Sequence, residues 1–465
     1  MIMSENIKYT HRFLARIVVK AETPIAVSSG EKDVTSDKLI ARDINGLPYI
    51  QGTAIAGVIR HAIGEERAKV FFGCSAEDDV EKLGKGSEII FSSAYIIDKN
   101  KHVVEGLISN NDKSDYLKLF DELPVRQHVS VDNKGVNKKR GKFDEEVVYK
   151  GTHFCFEIEM FSDGKNQAEF DAVLDEIASE TFRIGSGTRK GFGQLSIVEC
   201  KKVILDLANE SDRRNYLMKK SSLNDAFWND KEHVSRSNIK NEDWIKYELL
   251  LNPNDFYLFG SGFGDEDADM TPVSEVSIKW DFKEGTPPEF NTKYILIPAT
   301  SIKGAISHRV AFHYNKLNGY TIKETDGKFI VDENAEVGVK NEAVKALFGY
   351  TVENDNLSKR GNVIMSDLIE YELDKNKTKL LNHVAIDRFT GGAMDGALFS
   401  EKTIYGKEHQ YKIEILVSKK SFTNSVIKEA FEKTLDDIKN GMLPLGGGTN
   451  RGNGCFSGSW TIKNT

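Results

Sequence analysis

The chain has 465 residues, of which 39% are hydrophobic and 29% charged, and its formal net charge is −8. This composition is typical of a soluble globular protein of two or three domains, and no apolar run approaches the length of a membrane span. The first 16 residues lack the apolar core of a signal peptide, and the four cysteines have no metal-binding spacing, so we expect a cytoplasmic protein without membrane partners. The negative net charge argues against a protein that binds nucleic acid without the help of other proteins, although residues 133–142 form a basic stretch.

The same order of secondary-structure elements is predicted twice along the chain. The predicted pairs are strands 13–19 and 244–251, strands 47–50 and 293–297, helices beginning near Thr53 and Thr300, strands 152–160 and 410–417, and helices 168–181 and 422–439. Strand–helix–strand–strand–helix–strand is the order of the ferredoxin-like motif. We therefore predict an α+β protein of two tandem modified ferredoxin-like domains, residues 1–200 and 244–465, joined by a linker at 201–243.

One glycine-rich loop occurs near the end of each half. Residues 185–193 (GSGTRKGFG) and 446–454 (GGGTNRGNG) share the pattern Gly-x-Gly-Thr-x-(Lys/Arg)-Gly-x-Gly. Dense glycines let backbone N–H groups approach a ligand, and the cation suits an anion such as phosphate. The loop lacks the spacing of a P-loop and follows a helix rather than a strand, so an alternative is that the glycines serve a tight turn or close packing.

Other short blocks recur in the same order as these loops. They are residues 53–59 and 300–306, residues 128–132 (HVSVD) and 383–387 (HVAID), and the series Phe143, Glu145, Tyr149, His153, which is repeated with identical spacing as Phe399, Glu401, Tyr405, His409. Ordered recurrence of this kind indicates an internal repeat. A duplicated module that carries two copies of a loop suited to binding anions predicts a ligand with regularly repeated negative charges.

An acidic, glycine-containing loop follows the first strand of each half. Residues 28–43 and 260–272 form these loops, and their carboxylates are Asp33, Asp37, Asp43, Asp265, Glu266, Asp267 and Asp269. One or two carboxylates with water can hold Mg²⁺ against a phosphate. The alternative is a solvated acidic loop with no ligand.

Cations lie near the start of the first helix in each half. Arg60 and Lys303 follow helix N-termini where Thr53 and Thr300 are suitable capping residue types. A helix N-terminus with a nearby cation can bind phosphate, although ordinary capping beside a solvated cation would give the same pattern.

Four histidines occupy equivalent places in the two halves. His128, His383, His153 and His409 lie in β-rich segments rather than in the acidic loops. This placement favours a structural or ligand-positioning role over acid–base catalysis.

Taken together, the blocks resemble the RAMP superfamily of CRISPR RNA-binding proteins, and more narrowly the backbone subunits of type III CRISPR effector complexes. The resemblance is carried by residues 47–57 (LPYIQGTAIAG), by 382–392 (NHVAIDRFTGG) with 396–401 (GALFSE), and by the glycine loops. Family members usually have a lysine where Lys303 stands, whereas Ala56 replaces it in the first half.

The resemblance implies an RRM-related core that grips guide RNA and a β-hairpin thumb that interrupts the guide–target duplex. The thumbs would lie within 130–142 and 388–397. The family's metal-dependent cleavage requires an aspartate after the first strand, which falls best on Asp37 and Asp269, with Asp33 and Asp267 as the nearest alternatives. The residues expected to contact RNA are Arg60, Lys303, Arg189, Lys190, Arg451, Gly187, Gly448, His128 and His383.

The sequence thus predicts a tandem backbone subunit of a type III effector. Its partners would be guide RNA, target RNA and other effector subunits, and its cofactor Mg²⁺ or another divalent cation. Two alternatives remain open. One is a non-catalytic RNA-binding scaffold, and the other is the metal-independent nuclease that processes guide precursors.

Overall fold

The computed structural model describes most of the chain. The described residues are 9–30, 38–75, 84–109, 112–132, 137–236, 239–320, 322–325, 328–352 and 357–463. Within these ranges no helix combines the length and the apolar character needed to cross a membrane.

Residues up to 243, here the first half, contain eight strands and five α-helices within the described ranges. In chain order they are β1 (His11–Ala21), α1 (Gly52–Ile63), α2 (Glu65–Phe71), β2 (Ile89–Phe91), β3 (Tyr95–Ile96), α3 (Asp115–Lys118), β4 (Val125–Val131), β5 (Asn137–Glu146), β6 (His153–Ser162), α4 (Gln167–Ile177), β7 (Leu195–Asp206), α5 (Glu210–Met218) and β8 (Glu232–His233).

Residues from 244 onward, the second half, repeat this plan with additional short strands. Their elements are β9 (Trp244–Pro253), β10 (Phe256–Tyr257), β11 (Ser274–Val276), β12 (Lys293–Ile297), α6 (Ala299–Leu317), β13 (Ile322–Thr325), β14 (Lys328–Val331), α7 (Glu342–Phe348), β15 (Gly349–Val352), β16 (Leu357–Arg360), β17 (Val363–Met365), β18 (Leu368–Glu372), β19 (Thr378–Ile386), β20 (Ala393–Tyr405), β21 (Tyr411–Ser418), α8 (Ser425–Lys439) and β22 (Phe456–Lys463).

Both halves contain an antiparallel sheet with the same strand order. The first sheet runs β2-β6-β1-β7-β8, and the second runs β17-β21-β9-β22. Numbering the four strands of each motif along the chain gives the order 2-3-1-4 in both cases, which is the ferredoxin-like arrangement. The α+β class and the tandem ferredoxin-like fold predicted from the sequence are confirmed.

The central strand β1 carries buried apolar residues on both of its faces, because both faces of its sheet are covered. Phe13, Ile17 and Val19 lie in the core formed with α1 and α4. Val18, on the opposite face, packs in a separate cluster with Trp280 from the second half. Residues near 280 therefore cross over and close the outer face of the first sheet, which makes the two halves mutually dependent.

Helix α8 supplies the equivalent core face of the second half. Its buried side chains include Ile427, Phe431, Leu435 and Ile438, which recur at three- and four-residue intervals along one side of the helix. Asn424 caps the helix by accepting a hydrogen bond from the Ile427 N–H at 3.0 Å. This is the amphipathic pattern that the sequence predicts for a helix packed on a sheet.

A long hairpin leaves each sheet at the segment expected to be a thumb. β4 pairs with β5, and β19 pairs with β20. Residues 133–136, at the predicted tip of the first hairpin, lie outside the described residues. At the tip of the second hairpin Phe389 is 99% exposed, within a turn closed by Asp387.

Two local expectations differ from the structure. The residues that cap α1 and α6 are Gln51 and Pro298, not Thr53 and Thr300, and neither makes a side-chain capping bond to a described group. In addition, β7 continues to Asp206, past the predicted domain end at residue 200, because its apolar residues Val203 and Leu205 pack with Trp228.

Candidate functional site

A buried glutamate lies at the base of the first hairpin. Glu145 on β5 is 0% exposed, and its Oε1 lies 3.1 Å from His128 Nε2 and 3.3 Å from Lys190 Nζ of the first glycine loop. The His128 ring stacks on Phe143 with centroids 4.9 Å apart, and Lys190 Nζ lies 4.3 Å from the centre of the Phe143 ring. Three sequence blocks that are separate along the chain meet in this cluster.

The second hairpin has the same cluster at its base. Glu401 is 1% exposed and accepts hydrogen bonds from Arg451 of the second glycine loop at 2.7 Å and from Asn453 at 3.1 Å. His383 Nε2 lies 3.2 Å from Glu401 Oε1, and the His383 ring stacks on Phe399 at 4.8 Å. The repetition of the blocks thus corresponds to a repeated three-dimensional arrangement.

These clusters provide an internal partner for the cation of each glycine loop. Burial alone would raise the pKa of Glu145, but the close approach of the His128 ring and the charge of Lys190 outweigh it and bring the pKa to about 2. Glu145 is therefore ionised at neutral pH and compensates Lys190. In both clusters the cation joins the loop to the hairpin, so its contact with RNA stays a prediction.

The glycines of the loops are needed for their backbone conformation. Gly187 and Gly448 have φ angles of 68° and 66°, in the left-handed region. A Cβ at Gly187 would also overlap the ring of Phe192. These observations support the packing role that the sequence left as an alternative.

The first glycine loop lies at the junction between the halves. Arg189 Nε donates to the carbonyl of Gly361 at 2.9 Å, and Lys303 Nζ donates to the carbonyl of Arg189, also at 2.9 Å. The backbone N–H of Asp367 donates to the carbonyl of Gly191 at 3.2 Å. Burial, with Arg189 nearby, lowers the pKa of Lys303 to about 8. The structure thus places Arg189 and Lys303 in contacts between the halves.

Three buried charges hold this junction together. Arg126 Nε on β4 donates to Glu275 Oε2 at 2.6 Å, and Arg126 Nη1 lies 3.2 Å from Asp367 Oδ2. The other oxygen of Asp367 accepts the Ala299 N–H, at the first residue of α6, at 2.8 Å. The N-terminus of α6 therefore binds a carboxylate of the chain itself. From the sequence we had predicted that this helix N-terminus would bind a phosphate instead.

A groove of about 910 Å³ opens between the two halves. Its lining includes four cationic side chains, Arg183, Arg189, Arg360 and Lys420, and the aromatic ring of Trp244. It also includes the carboxyls of Glu176 and Asp243. Burial raises the pKa of Glu176 to about 7, so this carboxyl is partly protonated near neutral pH and adds little negative charge.

The second acidic loop lies beside the base of the second hairpin. Asp269 is exposed, and its Oδ2 accepts hydrogen bonds from the backbone N–H of Ser400 at 2.7 Å and from the Ser400 hydroxyl at 3.0 Å. These bonds keep the pKa of Asp269 below its usual value. Asp265 and Asp267 instead accept hydrogen bonds from Lys402 Nζ, at 2.5 and 2.8 Å.

The first acidic loop is described only in part. Asp37 and its alternative Asp33 lie outside the described residues. Asp43 accepts the backbone N–H groups of Asn45 and Leu47 at 2.8 and 2.9 Å, so it stabilises a turn. Across the described ranges no three His, Cys, Asp or Glu side chains form a group that could hold a metal ion.

Several important residues were not singled out from the sequence. Arg126, Glu275 and Asp367 are far apart along the chain, and only the fold brings them together. One signal was available in the sequence. Arg126 and Leu381 are equivalent positions of the repeat, each two residues before the repeated histidine. A charged residue at a position where the other copy has leucine suggests a buried partner. The predicted RNA-contact residue Arg60 lies exposed in the last turn of α1.

Comparison with known proteins relates the chain to one family. No curated protein sequence matches it. One chain of a cryo-EM structure of the type III-B Cmr-beta complex bound to cognate target RNA is similar to this chain at 14% identity and a TM-score of 0.29. The similarity covers 41% of this chain and 61% of that chain, and this structure does not contribute to the family assignment. The profile of the RAMP superfamily matches residues 18–196 and again residues 282–457. The chain, with one match in each half, therefore belongs to the RAMP superfamily.

Proposed function

We propose that this chain is a guide-RNA-binding backbone subunit of a type III CRISPR effector, acting in the cytoplasm with other effector subunits. The observation that carries the proposal is the occurrence of two RAMP units in one chain with a cation-lined groove between them. The narrower type III assignment is supported by the residue blocks around the hairpins and glycine loops.

The groove suits a nucleic-acid backbone better than a small neutral ligand. Four cationic side chains are set against two carboxyl groups, and the pKa of one of these, Glu176, is about 7. Contacts to phosphate position an RNA strand without reading its sequence, which a guide-binding subunit requires because guides differ. Trp244 lies in the same lining, with the Arg189 guanidinium 5.7 Å from the centre of its ring, so an aromatic and a cationic side chain line the groove together.

We further propose that the acidic loops cleave target RNA paired with the guide. The ribose 2′-OH would attack the adjacent phosphorus and lose its proton, and the bond to the 5′ oxygen would break, giving a 2′,3′-cyclic phosphate and a 5′-OH. Asp269 would act in the second half and Asp37 in the first. Ser400 holds the Asp269 carboxylate in place through two hydrogen bonds.

A single exposed carboxylate suits Mg²⁺ that is also held by phosphate and water. When bound, such an ion would neutralise charge on the phosphate being cleaved. Ser400 would orient the carboxylate, and Lys402 would keep Asp265 and Asp267 away from it. The second candidate function is a scaffold that binds RNA without cleaving it, and the ion pairs that already engage Asp265 and Asp267 with Lys402 favour it.

The experiment that separates these functions uses the assembled complex and an end-labelled target RNA, with Mg²⁺ or with EDTA. Asp37→Ala should remove one cut and Asp269→Ala another, while target binding stays nearly unchanged because many other contacts supply the affinity. Asp265→Ala, in the same loop as Asp269, is the matched control. Unchanged cutting in both variants would reject these residues, and no cutting by the unmodified complex would support the scaffold.

Guide binding is tested separately. RNA extracted from the protein purified from its own cells should be short and should share a 5′ tag. Cleavage of guide precursors that persists in EDTA would instead indicate the processing nuclease.

A further inference from the structure

A second cleft, here the outer cleft, lies on the outer face of the first sheet. Its volume is about 600 Å³, within the range of sites that bind small ligands. Its lining comes from β1 and β7, from the turn at 98–102, from residues 223–233 and from the crossing segment at 282–283. It shares no lining residue with the groove between the halves, so it is a separate site.

Positive charge exceeds negative charge in the outer cleft. Two lining residues are carboxylates, Glu199 and Asp225, and four carry positive charge at neutral pH, namely Arg16, Lys101, Lys201 and Lys283. Glu199 lies 3.7 Å from Arg16 Nη1 and 3.4 Å from Lys201 Nζ, so it is already paired. Asp225 caps a short helical turn by accepting a backbone N–H. Groups of the chain itself therefore engage both carboxylates.

Lys101 and Lys283 have no acidic partner among the described residues. The φ angle of Lys101 is 66°, in the left-handed region where glycine is unstrained and lysine is not. The turn is closed by Asp98, whose Oδ1 accepts the N–H of His102 at 2.9 Å, and it places Lys101 Nζ 5.1 Å from the centre of the Phe282 ring. A lysine kept at a strained position points to a function for its ammonium group.

We propose that the outer cleft binds a nucleoside monophosphate, either free or as the 5′ end of an RNA strand. Lys101 and Lys283 would hold the phosphate, and the nucleoside would lie against the apolar part of the lining, which is formed by Val198, Leu223 and Phe282. An inorganic anion would leave these apolar side chains in water, and an uncharged ligand would leave the two ammonium groups without a partner. The proposal goes beyond guide binding and target cleavage, because these residues take part in neither.

The charges on the second sheet contrast with those of the outer cleft. Lys246 and Lys412 lie 3.0 and 2.8 Å from the carboxylate of Glu414, and Lys463 lies 3.4 Å from that of Glu248. These lysines are compensated within their own sheet. The unpaired cations thus occur on the first sheet and not at these places on the second, which favours a ligand bound once per chain over a contact repeated in each half.

The first test measures AMP binding to the full-length protein without RNA by isothermal titration calorimetry. One AMP should bind per chain, and adenosine should not bind measurably. Lys101→Asn and Lys283→Gln should each weaken AMP binding about tenfold, the effect of one lost charge-assisted hydrogen bond. Lys99→Gln, exposed in the same turn but outside the lining, is the matched control. Equal affinity for adenosine, or unchanged AMP affinity in both cleft variants, would overturn the proposal.

The second test asks whether Lys101 serves the ligand or the fold. Lys101→Gly relieves the left-handed backbone strain, so the urea midpoint should stay the same or rise while AMP affinity falls about tenfold. A lower urea midpoint with unchanged AMP affinity would show that the lysine supports the fold, and would count against the site.

The third test separates the two sources of the ligand. A short RNA with a 5′-phosphate is compared with the same RNA ending in a 5′-hydroxyl. Tighter binding of the phosphorylated form, by a margin that Lys101→Asn removes, would identify an RNA end as the ligand. AMP binding with no difference between the two RNAs would identify a free nucleotide, and neither result would refute the proposal. AMP should also bind to protein loaded with guide RNA, so failure here would leave the proposed RNA functions intact.

Discussion

The substitution Arg126→Met should destabilise the junction between the halves more than most single changes. Arg126 is 7% exposed, and Glu275 and Asp367 are each 4% exposed, so the three charges are almost completely removed from water. Removal of the guanidinium leaves two buried carboxylates without their cation, whereas methionine fills most of the volume of the arginine stem.

The magnitude follows from the cost of leaving buried charges unpaired. Removal of one partner from a buried ion pair costs about 3–5 kcal/mol, so we expect the free energy of unfolding to fall by about 4 kcal/mol at pH 8. Burial raises the pKa values of Glu275 and Asp367, and Arg126 opposes that effect. Without Arg126 both pKa values should rise further.

The sign of the pH dependence then follows. A carboxyl with a raised pKa in the folded state binds more protons there than in the unfolded chain, so stability falls as pH rises above the unfolded pKa. The loss caused by Arg126→Met should therefore be largest at pH 8 and should shrink to about 2 kcal/mol at pH 5.5, where the carboxyls can take up protons.

Urea unfolding followed by tryptophan fluorescence at both pH values measures this loss. The triple variant Arg126→Met, Glu275→Gln, Asp367→Asn should recover more than half of the stability. Lys377→Met, which removes the cation from the exposed pair with Glu408, is the matched control and should leave the urea midpoint nearly unchanged. A loss below about 1 kcal/mol for Arg126→Met, or one that grows as pH falls, would refute the reasoning.

Further predictions concern the groove and the hairpins. Glu176→Gln should raise the free energy of unfolding by about 2 kcal/mol at pH 8 and leave it unchanged near pH 4. The reason is that the pKa of Glu176 is about 7 in the folded protein, so its ionised form destabilises the fold as pH rises. Urea midpoints measured as a function of pH check this. Arg360→Gln should reduce the salt dependence of guide binding by about one phosphate contact in filter-binding titrations. Phe389→Ser should leave the urea midpoint unchanged but weaken guide–target duplex binding by about 1–3 kcal/mol, the value of one stacked base. Limited proteolysis should show residues 134–142 protected when guide and target RNA are added, and equal cutting with and without RNA would contradict that.

The fold was predictable because it depends on patterns that are local and repeated. The strand order followed from two copies of strand–helix–strand–strand–helix–strand, each with apolar spacing of the expected period. The repeated blocks also meet in the folded chain, since His128, Glu145 and the glycine-loop cation Lys190 form a cluster.

The roles within that cluster were less predictable. The contact of the glycine-loop cation Lys190 with phosphate stays a prediction. Its contact with Glu145 was not foreseen, because the sequence alone gives no distance between residues on separate elements. Capping by Thr300 was wrong for a related reason. Asp367, far along the chain, accepts the first N–H of α6, and only the folded chain brings it there.

The contact between Gly191 and Asp367 also bears on how this gene could diverge. A side chain at Gly191 would overlap the carboxylate, and loss of the carboxylate would leave an N–H of α6 without its acceptor and Arg126 with Glu275 as its only remaining acidic partner in this cluster. A change at one position therefore selects for a compensating change at the other. Recombination that replaced one half with that of a distant homologue would combine mismatched surfaces, so we expect the two halves to be inherited as a matched pair.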